Sequence, residues 1–305
     1  MTYPYSAAGH WQGGFDEDGL QSWAAELRSR LGEREVSLGL VFMAPRFFPH
    51  AEAVLEILRV HGRVPLLVGC SSGSLICNAE ELEDDPGMVL GLYSLPGAQL
   101  QGVHFTQAQV EENGEATYWH QQTGVAPDAV NGWLAFVDPF HLDSERWLNQ
   151  WNEAYPQLPV VGGLASGIFS QQRTQVYLNG QVFEEGGVGV AIGGDVGLAS
   201  VISQGCTPIG ETWTLTGVNR NVIQAIGNRP AYEVLAETFH GLSAEEQAKA
   251  RSGLFVGLVI NEYLDEFHRG DFLIRNLLGA DPGTGYIAVG AFPRTGQTLQ
   301  FQRRD

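Results

Sequence analysis

Val64-Pro65-Leu66-Leu67-Val68-Gly69-Cys70-Ser71-Ser72-Gly73-Ser74 has a counterpart 94 residues on, in Leu158-Pro159-Val160-Val161-Gly162-Gly163-Leu164-Ala165-Ser166-Gly167-Ile168. Carried upstream without a gap, the same offset aligns Leu40 with Leu134, Phe42 with Phe136 and Pro45 with Pro139, beside Pro65/Pro159, Gly69/Gly163, Ser72/Ser166 and Gly73/Gly167. Chance alone would give roughly two such identities between positions 38 and 74, so the order of features carries more weight than the matches. Each copy reads as an apolar strand, a Pro-containing turn, a helix, a Pro-led apolar strand and a Gly/Ser-rich exit. That is a βαβ unit written twice, at 38–74 and 132–168.

Outward from these copies the chain reads as alternating helices and short strands. Residues 1 to about 15 are expected to form a loose arm, and Asp16 or Asp18 to cap a helix burying Leu20, Trp23, Ala24, Leu27 and Leu31. Strands are expected at 88–93 and 99–105, joined through Pro96-Gly97 as an antiparallel pair. The acidic run at 80–85 reads as an exposed loop or short helix rather than a metal cage. Asn179-Gly180 predicts a hairpin between 174–178 and 181–183. The Gly-rich stretch 187–202 predicts two strands meeting near Gly193-Gly194-Asp195. A helix after Pro230 opens a last segment with strands at 254–261, 271–275, 286–290 and 296–301. The expected fold is mixed α/β, with mixed sheets built from two related βαβ-containing units plus a smaller C-terminal α/β domain. Its divisions are 1–33 (arm and helix), 34–226 and 227–305.

Thirty-five acidic against 17 basic residues give a net charge of −18. That disfavours a grip on nucleic acid or an anionic membrane. Cys70, Cys77 and Cys206 form no paired-spacing motif, and the N-terminal residues have no signal-peptide pattern, so a cytoplasmic protein is expected. No phosphate loop is present. Asp265 and His268 could meet on a helix, but two ligands make no metal site. Neither cofactor nor metal is expected.

In an open parallel sheet, ligands bind beyond the carboxyl ends of the strands. The two exits, with Gly69, Cys70, Ser71 and Ser72 on one side and Gly162, Gly163 and Ser166 on the other, therefore predict a shared cleft for a small polar ligand. Arg46, Asp138 and His141, at the turns above the first strand of each copy, are the charged candidates to orient it. Gly69-Cys70-Ser71-Ser72-Gly73 also matches the G-x-S-x-G pattern of a nucleophile elbow, which leaves a serine or cysteine hydrolase using Ser71 or Cys70 as an alternative. Against it, the second copy has Ala165 where Ser71 stands, and no long helix follows. An adaptor acting through protein contacts alone is the third reading.

Leu40-Val41-Phe42, Gly69-Cys70-Ser71-Ser72, Val161-Gly162-Gly163 with Ser166, and Gly186-Gly187-Val188-Gly189-Val190-Ala191 follow a familiar order. So do Ser203-Gln204-Gly205-Cys206-Thr207-Pro208-Ile209-Gly210, Pro230-Ala231, Phe272-Leu273-Ile274-Arg275 with Asp281-Pro282, and Gly296-Gln297 with Gln300-Phe301 and Arg304-Asp305. The chain resembles the FIST family, F-box and intracellular signal-transduction proteins, in both its N-terminal and its C-terminal part. It departs from the family in having Ser74-Leu75 where a Gly-Glu pair commonly follows the first turn. The family's second part usually continues past the Arg-Asp pair, which implies a truncated or short second part here. The resemblance implies a non-catalytic cytoplasmic sensory module that binds an amino acid or similar metabolite. No output domain is recognisable, so it also implies a separate signalling protein as partner. Oligomeric state is not legible in one sequence.

Overall fold

The computed structural model describes residues 3–83, 87–112, 115–200 and 204–304. The ends of the expected acidic loop (84–86) and of the strand pair reaching 202, together with Ser203 and Asp305 of the quoted motifs, lie outside the described residues. Contacts divide the chain into two units, Met1–Ser200 and Val201–Asp305.

In the first unit both Pro-led strands run parallel to the strand that precedes them, because each is reached through a crossover helix. β1 (Ser6–Trp11), α1 (Glu17–Ser29), β2 (Leu38–Met43), α2 (Ala51–His61) and β3 (Leu67–Ser71) are followed by a small hairpin, β4 (Leu75–Cys77) and β5 (Glu80–Leu82), and by β6 (Met88–Tyr93). Next come β7 (Ala98–Phe105), α3 (Gln107–Glu112), α4 (Ala116–Thr123), β8 (Gly132–Val137), α5 (Ser144–Ala154), β9 (Val160–Leu164), β10 (Val176–Leu178), β11 (Gln181–Phe183) and β12 (Gly187–Gly194). One sheet has the order β1-β6-β2-β3-β10-β11 and the other β7-β12-β8-β9. The β2/β3 and β8/β9 pairs are parallel.

Alternation along the strands sorts these elements into four layers. Leu38, Val68, Phe136, Val188, Val190 and Ile192 fill the space between the sheets, where Phe42 meets Phe136 edge to face. Val41, Met43 and Leu67 point the other way, onto Leu20, Leu27, Val54 and Leu58 of α1 and α2. Trp133, Ala135 and Val137 likewise pack on Trp147, Trp151 and Ala154 of α5. The architecture is α/β/β/α.

Five expectations change. The acidic run is neither loop nor helix over Glu80–Leu82, which is strand β5, held by antiparallel pairing with β4. The N-terminal arm is not loose: β1 pairs antiparallel with β6 along its whole length. β6 and β7 are strands as expected but do not pair, since Pro96-Gly97 carries the chain from one sheet to the other. Residues 187–194 form one central strand rather than the first of two meeting at Gly193. Its glycines make room for rings, because a Cβ on Gly187 would lie 2.4 Å from the Phe105 ring. Finally, the ungapped repeat register slips in its second strand. Val41 is opposite Gly69, and Ala135, 94 residues after Val41, is opposite Gly162 rather than Gly163.

The second unit holds β13 (Cys206–Asn219), β14 (Val222–Ile226), β15 (Arg229–Pro230), α6 (Ala231–His240), α7 (Ala244–Ser252), β16 (Leu254–Val259), β17 (Phe272–Asp281), β18 (Tyr286–Val289) and β19 (Thr298–Arg304). The order is β13-β19-β16-β17-β18-β14-β15, and pairing of β13 with β14 closes six strands into a ring. Ile209, Leu215, Val256, Leu258, Ile287 and Phe301 form its core with Ala231 and Val234 of α6. Residues 262–270 are turns and bends, so Asp265 and His268 do not share a helix. No group of three metal-ligating side chains occurs among the described residues.

Candidate functional site

The Gly/Ser exits of β3 and β9 are bonded to each other. Ser166 N donates to the Ser71 carbonyl (3.0 Å), and Gly73 N donates to Ser166 Oγ (2.8 Å). Each exit is also tied to the strand beside it, Ser72 N to the Met43 carbonyl at 2.9 Å and Ala165 N to the Val137 carbonyl at 2.8 Å. The small residues are needed because backbones come close here, as on any crowded strand exit.

Of the first group, Gly69, Cys70 and Ser71 are buried within β3 and present nothing to solvent. A Cβ on Gly69 would lie 1.7 Å from the Val41 carbonyl oxygen. Desolvation pushes the Cys70 thiol up to about 12, far from the thiolate that a nucleophile requires. Ser71 is wholly buried, and its Oγ accepts from Gln175 N at 3.0 Å. The chain then continues into β4, not into the long helix of a nucleophile elbow. Ser72 spends its hydroxyl on the Ser74 carbonyl (2.6 Å). Gly162 and Gly163 are exposed on β9, the edge of its sheet. Arg46 donates to the Gln12 and Gly13 carbonyls at 2.6 and 2.9 Å, which fastens the loop after β1.

Asp138 and His141 are brought together. Leaving β8, the chain turns tightly before α5, whose first turn Asp143 caps by accepting from Arg146 N. Within that turn the Asp138 carboxylate is only 1% exposed yet fully engaged. Oδ1 accepts from Phe140 N (3.1 Å) and the Thr174 hydroxyl (2.7 Å). Oδ2 accepts from His141 N and from His141 Nδ1, both at 2.8 Å. Because a carboxylate only accepts, the imidazole proton sits on Nδ1, and Nε2 is left for another partner.

His141 lines an open depression of about 380 Å³ with Gln171, Gln172, Arg173, Glu184 and Glu185. Arg173 Nε donates to Glu184 Oε1 at 3.0 Å, and Gln175 Nε2 donates to the same oxygen at 3.3 Å. The Arg173 bond, helped by Gln175, holds the Glu184 carboxyl below its ordinary range against a smaller opposing effect of desolvation. Phe140 and the exposed Phe169 lie edge to face nearby, and Arg173 stacks over Phe48. Sequence reasoning missed Arg173 and Glu184, which flank the 174–183 hairpin as two ordinary surface charges. The available signal was their placement on opposite sides of the Asn179-Gly180 turn, since a hairpin brings its flanks together. The depression is polar, of both signs, and sized for a small molecule.

Two family models match the chain, FIST N domain over residues 37–229 and FIST C domain over 231–305. Two proteins of Mycobacterium tuberculosis, from strains CDC 1551 / Oshkosh and H37Rv, are each 33% identical over 282 residues, covering 92% of this chain and 72% of the relative. A Mycobacterium bovis protein has the same identity over 92% of this chain and 71% of its own length. All three are described only as uncharacterised. No helix among the described residues is long and apolar enough to cross a membrane. With both domain models matching in sequence along the chain, it belongs to the FIST family of signal-transduction sensory domains.

Proposed function

We propose that the chain is a non-catalytic sensory module whose first unit binds a small zwitterion, an amino acid or a similar metabolite, in the depression beside Asp138. The observation that carries this reading is the buried Asp138 carboxylate holding His141 with Nε2 outward, in a depression that Arg173, Glu184 and Glu185 also line. A ligand carboxylate is matched by Arg173, and a ligand ammonium by His141 Nε2, which accepts, and by the two glutamates. Burial of Ser71 and Cys70 weighs against a hydrolase built on either. A separate cytoplasmic signalling protein would read the bound state. The exposed Leu164 and Phe169 favour, as a second reading, an adaptor that binds protein at these turns.

The test is a thermal-shift screen of the full chain against the amino acids, followed by calorimetric titration of any hit. A ligand held only by the native state raises Tm by mass action, by about 2.7 kcal/mol of stability at a hundredfold excess over Kd. His141→Ala and Arg173→Leu should each weaken that hit about tenfold or more, the loss of one charge-assisted contact. No response to any amino acid, or a hit untouched by both changes, would refute the site and leave the adaptor.

A further inference from the structure

The depression beside Asp138 offers a ligand more acceptors than charged donors. Arg173 gives Nε and Nη2 to a single oxygen of Glu184, Oε1, which also accepts from Gln175 Nε2. Its remaining nitrogen, Nη1, is the charged donor still to be used, on a side chain that is 40% exposed. Glu184 Oε2 and both carboxylate oxygens of the exposed Glu185 have no hydrogen-bond partner among the described residues. His141 Nε2 is a further acceptor, because Asp138 fixes the imidazole proton on Nδ1. The Glu184 and His141 side chains are 54% and 47% exposed, so both groups are open to an incoming molecule.

Charge points the same way. Arg173 and Glu184 compensate each other, which leaves Glu185 as the uncompensated charge of the lining. The Asp138 carboxylate beneath His141 has the same sign. His104, whose ring is hydrogen-bonded to the Glu185 backbone, brings no counter-charge at neutral pH. Burial pushes its imidazole down and outweighs the opposing pull of the Glu185 carbonyl and carboxylate. Gln171 and Gln172 are neutral, with amide N–H groups that can join Arg173 on a ligand carboxylate. A zwitterion without further charge leaves Glu185 unmatched, and a zwitterion with one more positive charge does not.

We propose that the depression takes a basic amino acid, one that carries a second cationic nitrogen on its side chain, as lysine, ornithine and arginine do. The proposal rests on the reading of this depression as an amino-acid site and narrows it. The ligand carboxylate meets Arg173 Nη1, and its two cationic nitrogens share Glu185, Glu184 Oε2 and His141 Nε2.

Lysine, norleucine and glutamate are the probes, because norleucine keeps the carbon chain of lysine and lacks only the terminal ammonium. Calorimetric titration of the full chain should give lysine a Kd about two- to fivefold below that of norleucine, the range of one exposed charge pair, with glutamate the weakest of the three. The lysine preference should shrink as salt rises. In Glu185→Gln the ratio should fall to about one while norleucine binds as in wild type, because Glu184 and His141 still serve a single ammonium. Norleucine matching lysine in the wild type would overturn the basic-ligand proposal and leave the zwitterion site standing. A lysine preference retained in Glu185→Gln would overturn the role given to Glu185. Binding of none of the three would remove the site itself, and the proposal with it.

Discussion

Asp138 and Glu184 show two ways in which a carboxylate finds its donors, one beneath His141 and one in the lining of the depression. Asp138 has traded water for four donors, two of them backbone N–H groups of its own turn, so its position was readable from the Asp-Pro-Phe-His sequence after an apolar strand. Glu184 is more than half exposed and relies on Arg173. Since its folded pKa lies below the unfolded value, the stability it contributes is present above about pH 4.3, the ordinary glutamate value, and is lost as pH falls through the lower folded value. Solvent screening limits the gain to about 1 kcal/mol or less. The Tm gap between wild type and Glu184→Gln should therefore close on acidification below the ordinary carboxylate range. A gap that stays constant throughout the acid range would mean that the pair does not set this pKa.

At the scale of strands, the two parallel pairs together make a sharper prediction than either alone. Gly69 and Gly162 occupy equivalent places, each with a would-be Cβ 1.7 Å from a backbone oxygen of the parallel neighbour, whereas nothing lies within 4 Å of a Cβ on Gly163. Backbone cannot yield as a side-chain tip can. Gly69→Ala and Gly162→Ala should each cost about 3 kcal/mol or more in urea denaturation, and Gly163→Ala less than about 1. If Gly163→Ala proved the severe change and Gly162→Ala the mild one, the ungapped sequence register would be right and the strand pairing wrong. The example marks what sequence can report. β2, β3 and β8 announced themselves as apolar runs because they are buried, and β9, at an exposed edge, was legible only through its Pro-led likeness to β3. Pairing partners were not, because an apolar pattern records burial and not the neighbour; hence β6 and β7 were read as a hairpin although they lie in different sheets. β1, Ser-Ala-Ala-Gly-His-Trp, has too few large apolar side chains to look like a strand and is held by its pairing with β6. Arg173 was invisible as a site residue for a related reason, since only the folded hairpin sets it across from Glu184.

Over the whole molecule, a charge of −18 makes the chain repel itself when counterions are scarce. Raising salt from about 0.01 to 0.15 M shortens the screening length from about 30 to about 8 Å, which should raise Tm by a few degrees, on the order of 1 kcal/mol. A flat or falling Tm over that range would show that the acidic side chains are already balanced locally. Chain order has a further bearing through the path of strands between the sheets. β3 acquires its second neighbour only when β10 arrives, after the chain has left the first sheet, built β7, β8 and β9 of the second, and come back. During synthesis at about 5–20 residues per second, the interval between Ser71 and Phe183 leaves an apolar strand edge unpaired for roughly 5 to 20 s. Over that time the emerging protein is a half-finished sheet that a chaperone, or another nascent chain, can reach first.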